Sequence, residues 1–452
     1  MDTEALAHRR FDLRGHGALH TGHLIHQYPG KRALYRGSMN GQPVVAKFYL
    51  RPLRTAWEWW RGARGARILQ RAGIPSPAVR YAGLERGTRT WLTVVDWIEA
   101  DSAWPPLRNP LPAHVHELLL RTLVTHHEAG VVQNDLNWAN FIPRDDVLYS
   151  IDGDRVRQYS APLSYRRTRH NLRRLYGSKT HFSEGEVRRG WRDYWQLRGQ
   201  PASAAGTRAF VSAVQVHRRH VGEQVSRRKL GGWKHFVRER DSRTLLVAHG
   251  RHMDPEQRLR LRRFTADPGR HSGQDSSLGW QTEADTLCVG PGRVQHHTGS
   301  AFERLRNGRS PQAVWYRAAV AARLRLPVEP PIGFFQAAAG PFARSGRVVF
   351  QARARQSLAD ALDTGSIAGD TVMRQCRDLL ESLATARMPH RCLELNGLGW
   401  DGEKVILLDV QGLRLEAPWR GAPAFPHHIP LFQDLGTKLG RSVTEIRREL
   451  IG

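Results

Sequence analysis

The order of four polar residues relative to short apolar runs constrains the fold of this chain most strongly. Lys47 lies within an apolar strand pattern, and Asp152 directly follows another short apolar run. Between them, Asp135 and Asn140 stand five residues apart in a polar segment. Strand patterns surround the lysine, and helix patterns dominate after the last aspartate. This progression from strands to helices predicts an α+β domain.

Local signals place the elements around these residues. Asn40-Gly41 separates two apolar strand patterns, which predicts a tight β-hairpin. Residues 55–72 predict a helix that ends where Gly and Pro cluster at 73–77, and residues 114–128 predict a second amphipathic helix. The lysine is therefore expected on a strand of a sheet that a helix follows.

These residue types in this order suit phosphoryl transfer. A lysine on a rigid strand can hold the α- and β-phosphates of ATP, and an aspartate on a loop can orient the acceptor hydroxyl and take its proton. An asparagine and a second aspartate supply the hard oxygen ligands that Mg²⁺ accepts beside phosphate oxygens. The order is the phosphoryl-transfer set of kinase folds, and it predicts an enzyme that uses ATP and Mg²⁺.

Two motifs extend this set to a family resemblance. Residues 135–141 read Asp-Leu-Asn-Trp-Ala-Asn-Phe, and residues 151–155 read Ile-Asp-Gly-Asp-Arg. Both resemble motifs of the lipopolysaccharide kinases, which comprise the 3-deoxy-D-manno-octulosonic acid (Kdo) kinases and the core heptose kinases of the protein-kinase-like superfamily. The resemblance covers about residues 20–200 and implies a protein-kinase-like bilobal fold.

The resemblance also implies roles for individual residues. Asp135 is then the catalytic base, Asn140 and Asp152 bind Mg²⁺, and Lys47 binds the phosphates of ATP. A helix glutamate should pair with the lysine, and Glu58 is the one acid on the predicted helix 55–72. A solvated helix glutamate is the alternative interpretation of that residue.

Two further residues match the motifs without an implied chemical step. These are Asn137 and Asp154. For Asp154 an ion pair that stabilises the loop, with Arg155 or Arg157, is the alternative to a role at the site.

The chain also departs from the family pattern. The family histidine two residues before the catalytic aspartate is Gln133 here, and glutamine can still form a hydrogen bond. No clear glycine-rich phosphate loop precedes the strand lysine, although Pro29-Gly30-Lys31 or Gly37 lies in the right region.

The second half of the chain repeats the outline of the first half. Glu394 and Asp409 follow Asp135 and Asp152 at similar distances of 259 and 257 residues. This spacing predicts a tandem duplication, with chance similarity as the alternative. We expect a catalytic domain over 1–200, a basic linker or helix over 201–235, and a second domain over 236–452.

The second copy is expected to be degenerate. Glu303 or Arg304 falls at the place of the strand lysine, Glu394 at the place of the base, and Gly399 at the place of the metal-binding asparagine. A kinase without its phosphate lysine and its asparagine should bind ATP poorly. Its expected roles are substrate capture, membrane docking or allosteric support, or stability alone.

The charge of the chain indicates an anionic partner. The net charge is +27, and 62 of the 69 basic residues are arginine, which forms bidentate pairs with phosphate and carboxylate. A genome-wide preference for arginine is the alternative. The chain has no homeodomain, zinc-finger or RNP motif, so nucleic acid is the weaker prediction. Its three cysteines form no CxxC pair, and no apolar run reaches membrane-spanning length.

Three tryptophans on one basic helix allow two interpretations. Trp57, Trp59 and Trp60 either anchor the chain at an anionic membrane surface or pack against the sheet.

The sequence therefore predicts an ATP-dependent carbohydrate kinase that phosphorylates a Kdo or heptose hydroxyl of the lipopolysaccharide inner core. Its expected partner is this anionic glycolipid, and its expected place is the cytoplasm, peripheral on the inner face of the inner membrane. Two alternatives stay open. One is a kinase for another small-molecule or protein acceptor, and the other is a non-catalytic pseudokinase scaffold.

Overall fold

The computed structural model divides the chain into two compact units, Met1–Val214 and Gln215–Gly452. The described residues are 6–28, 30–51, 54–100, 112–136, 140–178, 182–233, 235–241, 244–253, 255–263, 281–283, 286–289, 292–297, 310–338, 344–415 and 428–451. The boundary between the units falls within helix α5 (Ala204–Leu230). The predicted segment 201–235 is therefore mostly one helix in this structure.

A six-stranded antiparallel sheet forms the first part of unit 1. Its strands are β1 (Arg10–Leu13), β2 (Gly17–Tyr28), β3 (Arg32–Met39), β4 (Gln42–Tyr49), β5 (Val79–Glu85) and β6 (Thr90–Asp96). Their spatial order is β1-β2-β3-β4-β6-β5. Helix α1 (Thr55–Arg71) lies between β4 and β5 in the chain and packs on β4, β5 and β6.

The predicted hairpin joins β3 to β4. Asn40 and Gly41 both have positive φ angles, of 51° and 76°, as the two central residues of a type I′ turn require. The resulting register places Lys47 opposite Leu34 on β3 and opposite Thr93 on β6. The lysine thus lies on a strand that has a hydrogen-bonded neighbour on each side.

The second part of unit 1 is mostly helical. It contains α2 (Ala113–Glu128), β7 (Val131–Gln133), β8 (Phe141–Arg144), β9 (Val147–Ser150), β10 (Val156–Gln158), α3 (Tyr165–Ser178) and α4 (Glu184–Leu197). β7 pairs with β10, and β8 pairs with β9. The helices α1 and α2 confirm the predicted helices 55–72 and 114–128.

Large apolar and aromatic side chains form the core of this helical part. Leu119 and Leu123 of α2 pack with Leu172 of α3, and the aromatic rings of Trp191 and Phe210 stack at 4.0 Å. Such buried rings supply most of the apolar area that holds the helices together. Ser183 and Glu186 begin α4 as a reciprocal capping box.

Unit 2 is a second α+β body. Its strands are β11 (Phe236–Arg240), β12 (Thr244–His249), β13 (Gln281–Glu283), β14 (Thr286–Val289), β15 (Gly292–His297), β16 (Pro331–Ala338), β17 (Arg344–Gln351), β18 (Gln356–Ser357), β19 (Leu398–Trp400) and β20 (Val405–Leu407). Its helices are α6 (Pro255–Arg263), α7 (Pro311–Arg323), α8 (Leu358–Asp363), α9 (Gly369–Thr385), α10 (Ile429–Leu439) and α11 (Val443–Ile451), with a 3₁₀ turn at Leu395–Gly397.

The sheets of the two units share a strand order. The large sheet of unit 2 runs β11-β12-β16-β17-β15-β14-β13. Its segment β13-β14-β15-β17-β16 corresponds to β2-β3-β4-β6-β5 of unit 1. Along the chain, α1 lies between β4 and β5, and α7 lies between the corresponding strands β15 and β16. Helix α7 packs on β16 and β17. The α+β class predicted from the sequence is the class observed.

None of the described helices has the length and apolar character that crossing a membrane would require.

Candidate functional site

Lys47 on β4 meets two carboxylates from the loop after β9. Its Nζ lies 3.2 Å from Asp152 Oδ1 and 3.2 Å from Asp154 Oδ1. Burial alone would lower the pKa of Lys47, but Asp152 and Asp154 outweigh it and raise that pKa above its ordinary value. The lysine is therefore a fixed positive charge at neutral pH. The structure thus brings together two of the residues that the sequence places at the site.

Asp154 is the more deeply buried of the two carboxylates. Its Oδ2 accepts a hydrogen bond from Arg32 of β3, in addition to the contact with Lys47. Burial acts to raise the pKa of Asp154, but the charges of Lys47 and Arg32 lower it below its usual range. Asp154 therefore stays ionised and holds the two cations side by side.

Two glycines of α1 allow the helix to contact the Asp152 loop through its backbone. A Cβ atom on Gly65 would lie 1.9 Å from the carbonyl oxygen of Gly153, and a Cβ on Gly153 would lie 2.4 Å from the backbone nitrogen of Ala66. A Cβ on Gly62 would lie 2.6 Å from Asp154 Oδ1. The close approach thus requires glycine at these positions.

The structure does not bring Glu58 to the lysine. Glu58 Oε1 accepts from Arg51 Nη1 at 3.1 Å. Glu58 lies in the first turn of α1, about one turn before Gly62 and two turns before Gly65. The expected Lys47–Glu58 pair is therefore corrected: the carboxylates that contact Lys47 are those of Asp152 and Asp154.

Hydrogen bonds fix the loop that carries Asp135. The side chain of Gln133 donates to the carbonyl of Asp152 at 2.7 Å, and its Oε1 accepts from the backbone nitrogen of Asp135 at 3.3 Å. Asn140 donates from Nδ2 to the carbonyl of Asp135 at 2.9 Å. Gln133 therefore links the loops of the two aspartates. Asn137 lies outside the described residues.

A buried network connects this loop to the helical core. His127 donates from Nε2 to Asn171 Oδ1 at 3.0 Å and accepts at Nδ1 from the Tyr194 hydroxyl at 2.7 Å. Asn171 in turn donates to the carbonyl of Gln133 at 3.0 Å. Burial lowers the pKa of His127 to about 4, so the ring is neutral at physiological pH.

The oxygen donors at the site fit Mg²⁺. Asn140 Nδ2 donates to the backbone, so Oδ1 is the atom of this side chain that could ligate a metal, and Asp152 could add a carboxylate. Mg²⁺ takes few protein oxygens and keeps phosphate and water ligands. Within the described part of the chain, His, Cys, Asp and Glu side chains form no cluster of three or more that would suit a metal held by protein alone.

A cavity of about 1330 Å³ adjoins these loops. It reaches Asn134 and Asp154, and its walls come from α1, β10 and α3. Nine arginines line it: Arg61, Arg64, Arg155, Arg157, Arg166, Arg167, Arg169, Arg173 and Arg174. The sequence showed that arginine is abundant, but it did not show that these side chains converge.

Of the three tryptophans of α1, Trp59 follows the interpretation of packing against the sheet. Trp59 packs on the sheet, with its ring centroid 4.2 Å from that of Trp91 and its Nε1 donating to the carbonyl of Leu92. Trp57 and Trp60 stack on each other at 5.0 Å and line the arginine cavity. They are 58% and 41% exposed.

Unit 2 contains a bond that parallels the Gln133 link. His390 donates from Nε2 to the carbonyl of Asp409 at 2.7 Å, and the two residues are 19 apart, as Gln133 and Asp152 are. In unit 1, Asp135 lies two residues after the donor Gln133. In unit 2, the residue two positions after the donor His390 is Cys392, an exposed thiol. Glu394, which the sequence predicts at the place of Asp135, lies two residues beyond Cys392 in this spacing.

The same spacing gives the counterpart of Asn140 in unit 2. Gly397 takes the place that Gly399 was expected to hold, so the position is glycine in either register. Glu303 and Arg304, expected at the place of the strand lysine, lie outside the described residues.

No protein-family model matches the chain, and no curated protein sequence matches it either. Solved structures do match the chain, among them the following two. WaaP in complex with acyl carrier protein is similar over 43% of this chain and 88% of that chain, with 20% sequence identity and a TM-score of 0.30. The kinase domain of PknI from M. tuberculosis is similar over 41% of this chain and 74% of that chain, with 14% identity and a TM-score of 0.26.

Proposed function

We propose that unit 1 is an ATP- and Mg²⁺-dependent phosphotransferase with an alcohol group as acceptor, built on a protein-kinase-like fold. The observation that carries the proposal is the contact of Lys47 with Asp152, between a sheet strand and a strand-end loop 105 residues away. A lysine and an acidic metal ligand must lie this close for one to bind the phosphates and the other the metal.

In this proposal Lys47 binds the α- and β-phosphates of ATP. Asp154 positions the lysine, and Arg32 adds a second cation on the same carboxylate. The elevated pKa of Lys47 keeps its charge available through the physiological range. Asn140 Oδ1 and the Asp152 carboxylate hold Mg²⁺, which neutralises phosphate charge when it is bound.

Asp135 is the proposed catalytic base. It orients the acceptor hydroxyl and takes its proton as the oxygen attacks the γ-phosphorus and the bond to the β-phosphate breaks. The Asn140 and Gln133 bonds hold the Asp135 backbone on both sides, which fixes the direction from which the carboxylate approaches. Positioning of this kind supplies most of the catalysis in phosphoryl transfer.

For the acceptor we propose a sugar hydroxyl, Kdo or heptose, of the lipopolysaccharide inner core. The motifs at 135–141 and 151–155 support this choice through their resemblance to the lipopolysaccharide kinases. The charge of +27 supports an anionic glycolipid and contact with an anionic membrane surface on its cytoplasmic side.

We propose further that unit 2 is a degenerate copy of unit 1. The shared strand order and the two 19-residue hydrogen bonds support this interpretation. Cys392 and Gly397 stand where unit 1 has its base and its metal-binding asparagine, so unit 2 acts without phosphoryl transfer.

The test is transfer of radiolabelled phosphate from ATP to purified inner-core lipopolysaccharide in the presence of Mg²⁺. Wild type is compared with Asp135→Asn and with Asp145→Asn, a matched change at an exposed carboxylate in the β8–β9 turn. The proposal expects transfer that is lost in Asp135→Asn and kept in Asp145→Asn.

The other outcomes identify the alternatives. If the chain binds ATP but transfers phosphate to no glycolipid, the acceptor is a different small molecule or a protein. Absence of ATP binding would favour a non-catalytic scaffold.

A further inference from the structure

We propose that the arginine-lined cavity is the acceptor site of unit 1, and that it selects a saccharide carrying several phosphate or carboxylate groups. The inference rests on the proposed function, because it places this cavity beside the reacting groups. It adds the residues that recognise the acceptor and the charge that the acceptor must carry.

The position of the cavity fits an acceptor site. Its lining includes Asn134, the neighbour of Asp135, and Asp154, on the loop of Asp152. Arg174 Nη2 donates to the carbonyl of Asn134 at 3.0 Å, so the arginine wall begins at the loop of the base. The charge of Asp135 also acts on Arg174, which places the base beside this wall of the cavity.

The charges of the cavity are unbalanced. Of the described residues that line it, Asp154 alone carries a carboxylate, and its oxygens already pair with Lys47 and Arg32. No described carboxylate lies within ion-pair distance of any of the nine arginines. Like charges at such density repel each other, and bound anions would reverse that repulsion.

Individual side chains show this repulsion. Burial lowers the pKa of Arg174, and the charges of Arg155, Arg173 and Arg157 lower it further, against the opposing effect of Asp135. Arg173 Nε is buried and has no hydrogen-bond partner among the described residues. A guanidinium in this state is prepared to bind an anionic oxygen.

The spacing of α3 explains how so many arginines reach one wall. Arg166, Arg169 and Arg173 follow each other at three and four residues, which places them along one side of the helix. Leu172 and Leu175 point their side chains into the core instead. Helix α1 supplies the facing arginines, Arg61 and Arg64, at a spacing of three.

Aromatic rings add a surface for the sugar itself. Trp57 and Trp60 stack with an angle of 22° between their planes, and Arg64 Cζ lies 5.3 Å from the Trp60 ring centroid. Exposed rings that line a cavity offer apolar faces to the apolar face of a pyranose, and the arginines beside them bind its anionic substituents. The combination fits a phosphorylated or carboxylated saccharide better than a bare inorganic anion.

The test measures acceptor binding by calorimetry on the full chain without ATP. The probe is phosphorylated inner-core oligosaccharide freed of its acyl chains, compared with the same oligosaccharide after phosphatase treatment. Vesicles of anionic phospholipid and double-stranded DNA are the other two probes. We expect the phosphorylated oligosaccharide to bind at least tenfold more tightly than the treated one.

Paired variants on one helix sharpen the test. Arg61→Gln/Arg64→Gln removes two lining charges, and Arg67→Gln/Arg71→Gln removes two exposed charges of α1 that do not line the cavity. We expect at least a tenfold loss of affinity in the first pair and less than twofold in the second. Trp57→Leu should weaken binding of the oligosaccharide without altering the unfolding midpoint.

Several results would overturn the inference. These are equal binding of both oligosaccharides, equal affinity in the two arginine pairs, and tighter binding of vesicles or DNA than of oligosaccharide with the same loss in the first pair. Phosphate transfer is scored separately. Binding without transfer would refute the proposed function alone, whereas transfer that is insensitive to Arg61→Gln/Arg64→Gln would refute the acceptor site alone.

Discussion

Gln133 donates a side-chain hydrogen bond of 2.7 Å to the backbone carbonyl of Asp152. In unit 2, His390 forms a bond of the same length to the carbonyl of Asp409. In each unit, a side chain that precedes a two-stranded hairpin thus donates to the backbone that follows the hairpin. The donor is an amide in unit 1 and an imidazole in unit 2. Glutamine at position 133 thus forms the same kind of bond that histidine forms in unit 2.

This relationship predicts that Gln133→His preserves transfer activity and Gln133→Ala does not. Loss of the bond leaves the Asp152 carbonyl without this donor and frees the Asp135 loop, at a cost of about 1–3 kcal/mol in the free energy of unfolding. We expect transfer to fall at least tenfold in Gln133→Ala and to change less than threefold in Gln133→His. Steady-state transfer rates and urea unfolding measure the two effects. Unchanged rates in Gln133→Ala would show that the link has no role.

A second prediction separates Asp154 from Glu58 as partner of the strand lysine. Asp154→Asn removes the charge that holds Lys47 and Arg32, so ATP binding should weaken at least tenfold. Glu58→Gln should change ATP binding less than twofold because Glu58 pairs with Arg51. Titration with a fluorescent ATP analogue measures both variants. The reverse order of effects would restore Glu58 as the positioning residue.

The close approach of α1 to the Asp152 loop gives a third prediction. Gly65→Ala forces a methyl group into the carbonyl of Gly153 and should destabilise unit 1 by about 1–3 kcal/mol, as overpacking does. Gly185→Ala is the control, since Ser183 Oγ at 3.9 Å is the nearest atom to its new methyl group. Because alanine has a higher helix propensity than glycine, Gly185→Ala should leave the free energy of unfolding unchanged or raise it. Chemical unfolding of both variants, followed by tryptophan fluorescence, measures the difference.

Buried histidines predict a loss of stability below neutral pH. Burial lowers the pKa of His126 to about 3 and that of His127 to about 4. The unfolded chain takes up these protons near pH 6.5, whereas the folded chain does not, so stability falls as the pH drops below that value. Each histidine contributes a slope of up to about 1.4 kcal/mol per pH unit.

Unfolding free energies between pH 7 and pH 5 test this prediction. His126→Gln should reduce the slope of unfolding free energy against pH by the contribution of one proton. His20→Gln changes an exposed histidine of β2 and should leave this slope unchanged. Equal slopes in wild type and both variants would show that His126 is protonated in the folded state.

Local sequence signals predicted the elements of unit 1 well. Asn40-Gly41 determines its hairpin through backbone conformation alone, and the strand pattern placed Lys47 correctly in β4. The meeting of Lys47 with Asp152 followed from residue order and a family resemblance. The spacing of Gly62 and Gly65 at three residues was a usable signal for a close helix contact, and it was missed.

Contacts between distant segments could not be predicted in the same way. Arg32 and Asp154 are 122 residues apart, and only the folded sheet brings them together. Glu58 was placed at the lysine because it was the one acid on its helix, but the position of the helix along its axis decides the contact. In unit 2, the register proposed from the His390–Asp409 bond differs by two residues from the alignment on Glu394, and that bond is a tertiary contact that the sequence does not show.

The glycine contact of α1 has a mechanical consequence for unit 1. A helix that is tied to a loop by side-chain charges can swing outward when those charges find other partners. Here main chain lies against main chain, so we expect α1 and the Asp152 loop to move as one unit. If unit 1 binds ATP as proposed, we expect α1 and the Asp152 loop to move together when the nucleotide enters. An outward swing of the helix alone, as an off state, is not expected from this architecture.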